Sequence, residues 1–139
     1  MNNTETKLSD ICKKNKWYVQ KLNTHTSTGF GTNQVSDFLV ANNKGVYAIE
    51  CKERKNYFYM NDLTQSLQMK KLLKKSNKFI PFVLLNFYGV DKLFLFPYRD
   101  FLYFKNSIKF KNGKQKKGIN SNDVPLHYLI KWQDINKVI

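Results

Sequence analysis

Three residues in one short stretch have the types and spacing to do chemistry together. In "SDFLVANNKGVYAIECKERK", residues 36–55, Asp37 opens an apolar run, and Glu50 and Lys52 stand two positions apart in the next one. The chain has only ten acidic residues, so two carboxylates and an ammonium in this setting need a reason. Side chains alternate between the faces of a strand. Tyr47, Ile49 and Cys51 would then share one side, and Val46, Ala48, Glu50 and Lys52 the other, with Glu50 and Lys52 about 7 Å apart. A neighbouring strand that begins with Asp37 would bring that carboxylate up to Glu50. Two close carboxylates repel, and burial worsens this, unless a cation lies between them. Mg²⁺ suits such a seat, because it takes oxygen ligands and keeps several waters; Mn²⁺ is expected to substitute. The backbone carbonyl of Cys51 could supply another oxygen. Lys52 could then orient or deprotonate a water, or steady the charge developing on a scissile phosphate. The competing reading makes Glu50 and Lys52 an exposed ion pair worth about 0–1 kcal/mol, with Asp37 merely entering a strand.

Those residues need elements to position them. "DFLVA" and "GVYAIECK" are β-rich runs joined by the turn chemistry of "NNKG". Before them, residues 4–15 are expected to form a helix with Leu8, Ile11 and Cys12 on a buried stripe, capped by Asn3 or Thr4. A short strand follows at residues 17–22, then the polar loop "NTHTSTGFGTNQ". After the hairpin, Asn61 or Asp62 could cap a helix that runs to about Lys75, with lysines in its last turn. "FIPFVLLNF" is continuously apolar, as expected of a strand covered on both faces, and "KLFLFP" pairs with it. "KFKNGKQKKG" reads as a basic loop around Gly113, and "SNDVPLHYLIKW" as a capped entry into a short terminal helix. No repeat or Pro/Gly/Ser linker interrupts residues 1–139. The expected architecture is a single α/β domain with a central mixed β-sheet flanked by helices.

Charge narrows the partner. Lys and Arg total 24 against 10 for Asp and Glu, a formal net charge of +14. Such an excess repels itself unless a polyanion relieves it, so nucleic acid is the natural partner. A lysine-rich codon bias is the bland alternative, since Arg54 and Arg99 are the only arginines. Lys70, Lys71, Lys74, Lys75, Lys109, Lys111, Lys114, Lys116 and Lys117 are the expected phosphate contacts, which position DNA without reading its sequence. No apolar run reaches the roughly 18 residues of a membrane span. The N-terminus lacks the apolar core of a signal peptide, and Cys12 and Cys51 show no metal or disulfide spacing. A cytoplasmic protein of a bacterium or phage is expected. His25 and His127 are expected to be loop and packing residues, Gly29 and Gly31 to keep their loop flexible, and the aromatics from Phe94 to Phe104 to make core and dimer contacts.

Ser36-Asp37, twelve residues, then Glu50-Cys51-Lys52 resembles the PD-(D/E)XK nuclease signature, with serine where proline is usual. The run "TQSLQMKKLLKKSNKFIPFVLLNFYGVDKLFLFPYRDFL" is similar to the segment after the active-site lysine in RecU-type Holliday junction resolvases. There a helix with a His-Gln pair precedes an apolar strand and a strand ending near aromatics. "SNDVPLHYLIKW" is similar to that family's C-terminal element. The resemblance covers roughly residues 36–132, and archaeal Holliday junction resolvases are a more distant match on the hairpin alone. It implies a restriction-endonuclease-like core in a homodimeric, Mg²⁺-dependent endonuclease. Such an enzyme cuts four-way, branched DNA junctions by paired nicks in DNA recombination and repair. Asp37 and Glu50 carry over as metal ligands, Lys52 as the catalytic lysine, and Gln65 as an accessory to the water or phosphate. Glu5 falls near the family's first-helix acid, with Asp10 as its competitor. Two departures stand out. The loop "NTHTSTGFGTNQ" leaves no room for the stalk that RecU proteins insert, and Thr64 replaces the histidine of the His-Gln pair. The alternatives are the same chemistry on other DNA (restriction, repair or mobile-element) and a non-catalytic nucleic-acid-binding protein.

Overall fold

The computed structural model describes residues 2–22, 37–64, 78–108, 110–111 and 113–139. Helix α1 spans Asn3–Lys14. The Asn2 side chain caps it by accepting from the Glu5 amide at 2.9 Å, slightly earlier than expected, and Lys13 and Lys14 complement the dipole in the last turn. Its buried Thr4, Leu8 and Cys12 recur at helical spacing. The chain then turns through Lys16, which has a positive φ of 60°, into β1, Tyr18–Lys21.

Among the described residues the central sheet has six strands: β1, β2 (Phe38–Asn42), β3 (Gly45–Arg54), β5 (Phe79–Phe87), β6 (Lys92–Pro97) and β10 (Leu129–Ile130), in that order. The Asn42 side chain closes the β2–β3 turn by accepting from the Lys44 and Gly45 amides at 2.8 and 3.2 Å. Among the described residues only the β3–β5 pairing is parallel; the sheet is therefore mixed, as the sequence pattern implies.

Both faces are covered. On one lie Tyr47, Ile49, Cys51, Leu84 and Leu95, packed with Leu8 and Cys12 of α1 and with Ile135 and Ile139. On the other lie Ala48, Val83, Leu85, Phe94 and Phe96, packed with a second helix, α2, at Tyr98–Ile108. Residues 82–87 of β5 are all buried, which explains their unbroken apolar character.

Helix α2 was not anticipated. Its aromatics carry β-propensity, yet Tyr98, Phe101 and Phe104 form a buried helical stripe, and Phe96 meets Phe101 and Phe104 at ring separations of 5.6 and 5.5 Å. Packing of that stripe outweighs weak intrinsic preference. The aromatics are therefore largely core, although Tyr103 is 79% exposed.

The described residues also form two small sheets. Strand β4 (Tyr57–Tyr59) pairs with β9 (Gly118–Asn120). Here Gly118 is required by close approach, since a Cβ would sit 2.2 Å from the Phe58 carbonyl oxygen. The basic loop is a hairpin, β7 (Phe110–Lys111) with β8 (Lys114–Gln115), turning at Gly113 with φ 73°. The C-terminal segment departs from the expected α-helix. Asn120 and Asp123 do form a capping box, but the chain continues as 3₁₀ turns at Ser121–Asp123, Leu126–Tyr128 and Trp132–Lys137, with β10 between the last two. Pro125, which lacks an amide donor, interrupts any continuous helix there. Of the helix expected from Asn61 to Lys75, the described part is a 3₁₀ turn at Met60–Leu63; the rest lies outside the described residues. Among the described residues no helix is long and apolar enough to cross a membrane.

Candidate active site

The β2–β3 register sets Phe38 opposite Ile49, so Asp37, one residue earlier, stands opposite Glu50. Directly paired residues project to one face of a sheet. The two carboxylates therefore share the face that carries Ala48 and Val83. Asp37 is pinned from both sides: its carbonyl accepts from the Leu22 amide at 2.8 Å, and its Oδ2 accepts from the Cys51 amide at 2.8 Å. Burial pushes its pKa up, the Cys51 hydrogen bond pulls against this, and the charge of Glu5 adds to the rise. A carboxylate held in place yet penalised for its charge is a natural seat for a cation.

Glu50 is half-buried, and its Oε2 is shielded from solvent. It does not stand on a solvated hairpin face. Lys52, next on the same face, donates from Nζ to the Thr64 carbonyl at 2.8 Å. The lysine is thereby tied to the end of the 3₁₀ turn. Gln65, the next residue, lies outside the described residues, as do Lys70, Lys71, Lys74 and Lys75.

Cys51 contributes from the backbone. Its amide points toward Asp37, and within a strand a residue's N–H and C=O face the same neighbour, so its carbonyl looks to that side too. Its thiol lies on the other face, with its pKa raised by burial first and then by the Asp37 charge. Glu5, in the first turn of α1, is ion-paired with Lys21, and its charge reaches Asp37 and Cys51. The helix is held there by a polar clamp. The Thr4 amide and hydroxyl donate to Glu53 Oε1 at 3.1 and 2.6 Å, and Asn86 Nδ2 donates to Thr4 Oγ1 at 2.9 Å. Among the described residues no three His, Cys, Asp or Glu side chains converge as a metal-ligand group. Two carboxylates with a carbonyl nearby nonetheless fit Mg²⁺, which is commonly bound through one or two carboxylates and several waters.

A cavity of about 210 Å³ opens beside Lys52 and is lined by Asn2, Cys51, Lys52, Glu53, Arg54, Phe58 and Asp62. Arg54 reaches Asp62 with two donors at 2.8 and 3.3 Å, and this hydrogen bonding lowers the Asp62 pKa. Sequence reading missed this pair; the strand alternation that links Glu50 to Lys52 also extends to Arg54. Farther along, a groove of about 490 Å³ is lined by Tyr59, Met60, Asn61, Gln115, Lys116 and Lys117. The Met60 amide donates to the Lys117 carbonyl at 2.9 Å, which joins the basic hairpin to the turn that holds Lys52. Lys114 and Lys117 are exposed, whereas Lys116 is paired with Asp123 at 2.7 Å. A larger groove, about 550 Å³, lies at the opposite edge of the sheet beside β10, away from the carboxylates.

No protein-family model matches the chain, and no curated protein matches it. Its fold is similar to the solved structure of Hjc, a Holliday junction resolvase from the archaeal hyperthermophile Archaeoglobus fulgidus. The TM-score is 0.57 at 16% sequence identity, covering 95% of this chain and 96% of that one. The likeness to an archaeal resolvase therefore extends well beyond the hairpin to nearly the whole fold. The chain has a nuclease-like α/β fold with a mixed central sheet.

Proposed function

We propose that this protein is a divalent-cation-dependent endonuclease acting on branched DNA, in the manner of a Holliday junction resolvase with a reduced stalk of the RecU kind. The observation that carries the reading is the placement of Asp37 at the end of the β2–β3 ladder, level with Glu50 and bonded to the Cys51 amide, with Lys52 next on the strand and held by Thr64.

In this reading Asp37 and Glu50 hold Mg²⁺ or Mn²⁺, with the Cys51 carbonyl and Glu5 as further oxygen donors. The cation would supply Lewis acidity at the phosphate and lower the pKa of attacking water. The chain's own residues do the rest. The Cys51 amide fixes the Asp37 carboxylate, and Lys52 presents a positive charge where charge builds up on the phosphodiester. Lys114 and Lys117, with the lysines at 70, 71, 74 and 75, neutralise DNA phosphates on approach. Gln65 directly follows the residue that holds Lys52 and is proposed to steady the water or the phosphate. A two-fold substrate cut on two strands calls for a two-fold enzyme, so a homodimer is the expected assembly.

The test is cleavage of a labelled four-way junction with Mg²⁺, beside a linear duplex of the same arms and a Lys52→Ala control. Paired nicks on the junction alone, lost in the control, are the expected result. Equal cutting of both substrates would make the protein a general nuclease. Binding without any Mg²⁺- or Mn²⁺-dependent cutting would overturn the catalytic reading.

A further inference from the structure

One buried polar atom has no place in this scheme. Tyr98 is 1% exposed, and among the described residues its hydroxyl has no hydrogen-bond partner. Buried hydroxyls are nearly always paired, and one that is not costs free energy. Phenylalanine at this position would keep the packing of the ring without that cost, so the hydroxyl calls for a use.

Its location suggests one. The rows of the sheet run Asp37–Glu50–Val83–Phe96, since Glu50 pairs with Val83 and Val83 with Phe96. By this register all four side chains lie on the sheet face against which α2 packs. Tyr98 opens that helix two residues after Phe96 and packs in the same cluster as Ala48, Val83 and Phe96. Ala48 precedes Glu50 on this face, and its small side chain leaves room for a ring. Burial raises the pKa of the phenol and the charge of Glu50 adds to the rise, so the two groups lie within electrostatic reach. Glu50 Oε2 is the oxygen shielded from solvent.

We infer that Tyr98 is a positioning residue for Glu50: its hydroxyl, unpaired among the described residues, closes onto this carboxylate as a hydrogen-bond donor when a divalent cation binds. The inference rests on the reading of Asp37 and Glu50 as cation ligands. A ligating carboxylate uses one oxygen on the ion, and a donor to the other oxygen restricts its rotation. Loss of such supporting partners typically weakens metal affinity about 10- to 100-fold.

Tyr98→Phe tests this in two measurements that move differently. Mn²⁺ binding to the DNA-free protein, followed by electron paramagnetic resonance, should weaken about tenfold. The melting temperature without metal should stay the same or rise, because an unpaired buried hydroxyl has been removed. Unchanged Mn²⁺ affinity would overturn the inference. So would a large loss of metal-free stability, which would show that the hydroxyl serves only the core. Should the variant not fold, 3-fluorotyrosine introduced at position 98 alone gives a stronger donor in the same shape. It should tighten Mn²⁺ binding, and no change would again overturn the idea. Wild-type protein that neither binds Mn²⁺ nor cuts DNA would sink the parent reading and this one with it. Wild-type binding that Tyr98→Phe leaves intact would remove only the role of Tyr98.

Discussion

Lys52 donates its ammonium to the carbonyl of Thr64 at 2.8 Å, so the lysine is anchored to the end of the 3₁₀ turn with the charges of Asp37 and Asp62 within reach. In the proposed scheme that ammonium faces the scissile phosphate. Lys52→Ala should therefore lower single-turnover cleavage by about 10²-fold or more, while stability shifts by no more than about 0.5 kcal/mol. Nicking assays and a melting curve check both numbers. A fully active Lys52→Ala protein would remove the site from consideration.

Asp37 makes stability depend on pH in an unusual sense. Burial raises its folded-state pKa above the ordinary carboxylate value of 3.8, so the folded protein holds the proton more tightly than the unfolded chain. The associated stability is present below that ordinary value and is lost as pH rises through the raised one. Metal-free protein should thus lose stability across that window. Asp37→Asn, whose amide oxygen can still accept from Cys51, should abolish this component and also abolish cutting. Urea melts at several pH values, without metal, provide the measurement.

The clamp of Glu53, Thr4 and Asn86 makes a third prediction. Thr4→Val removes the shared hydroxyl and leaves Asn86 and Glu53 short of a partner inside the protein. It should cost about 1–3 kcal/mol in a chemical melt. A neutral result would mean that the clamp contributes nothing net.

The basic hairpin should respond unequally to mutation. Lys114 and Lys117 are exposed, whereas Lys116 is engaged by Asp123. Neutralising Lys114 and Lys117 should each reduce the salt slope of DNA binding by about 1, and Lys116→Ala should change it less. Equal effects at all three positions would show that the Asp123 pair opens when DNA binds.

Thiol chemistry offers a probe of folding. Burial pushes the Cys12 pKa up to about 11, and Cys51 is raised well above its usual value. The thiolate is the reactive form, so neither residue should react with a disulfide reagent at neutral pH until the chain unfolds. Rapid labelling of the native protein would contradict the packing of α1 on the sheet.

The alternation of Glu50 and Lys52 along one strand made the shared face of the candidate residues legible, because a period of two leaves little choice of face once the apolar residues are placed. The turn at Asn42 was readable for a similar reason: its side chain acts locally. Helix α2 was not, since its aromatics suit strands and helices alike, and only contact with Phe96 decides between them. Tyr98 and the Arg54–Asp62 pair were likewise hidden. Their roles arise from neighbours brought together across the fold, and no local spacing records that. The long hydrophobic run of β5 announced a covered strand but could not say which strand lay beside it.

That neighbour has a consequence for how the protein comes into being. The parallel pairing of β3 with β5, from Val46 opposite Phe79 to Arg54 opposite Phe87, joins segments far apart in the chain and pays its loop-closure entropy before contacts reward it. The β2–β3 hairpin closes only a short loop and can form early, bringing Asp37 and Glu50 near each other. Yet Glu50 gains its buried surroundings only when β5, β6 and the first turn of α2 arrive. During synthesis Asp37, Glu50 and Lys52 would stay solvated and loosely held until most of the chain has left the ribosome, so any activity of the proposed site should emerge late, together with the completed sheet.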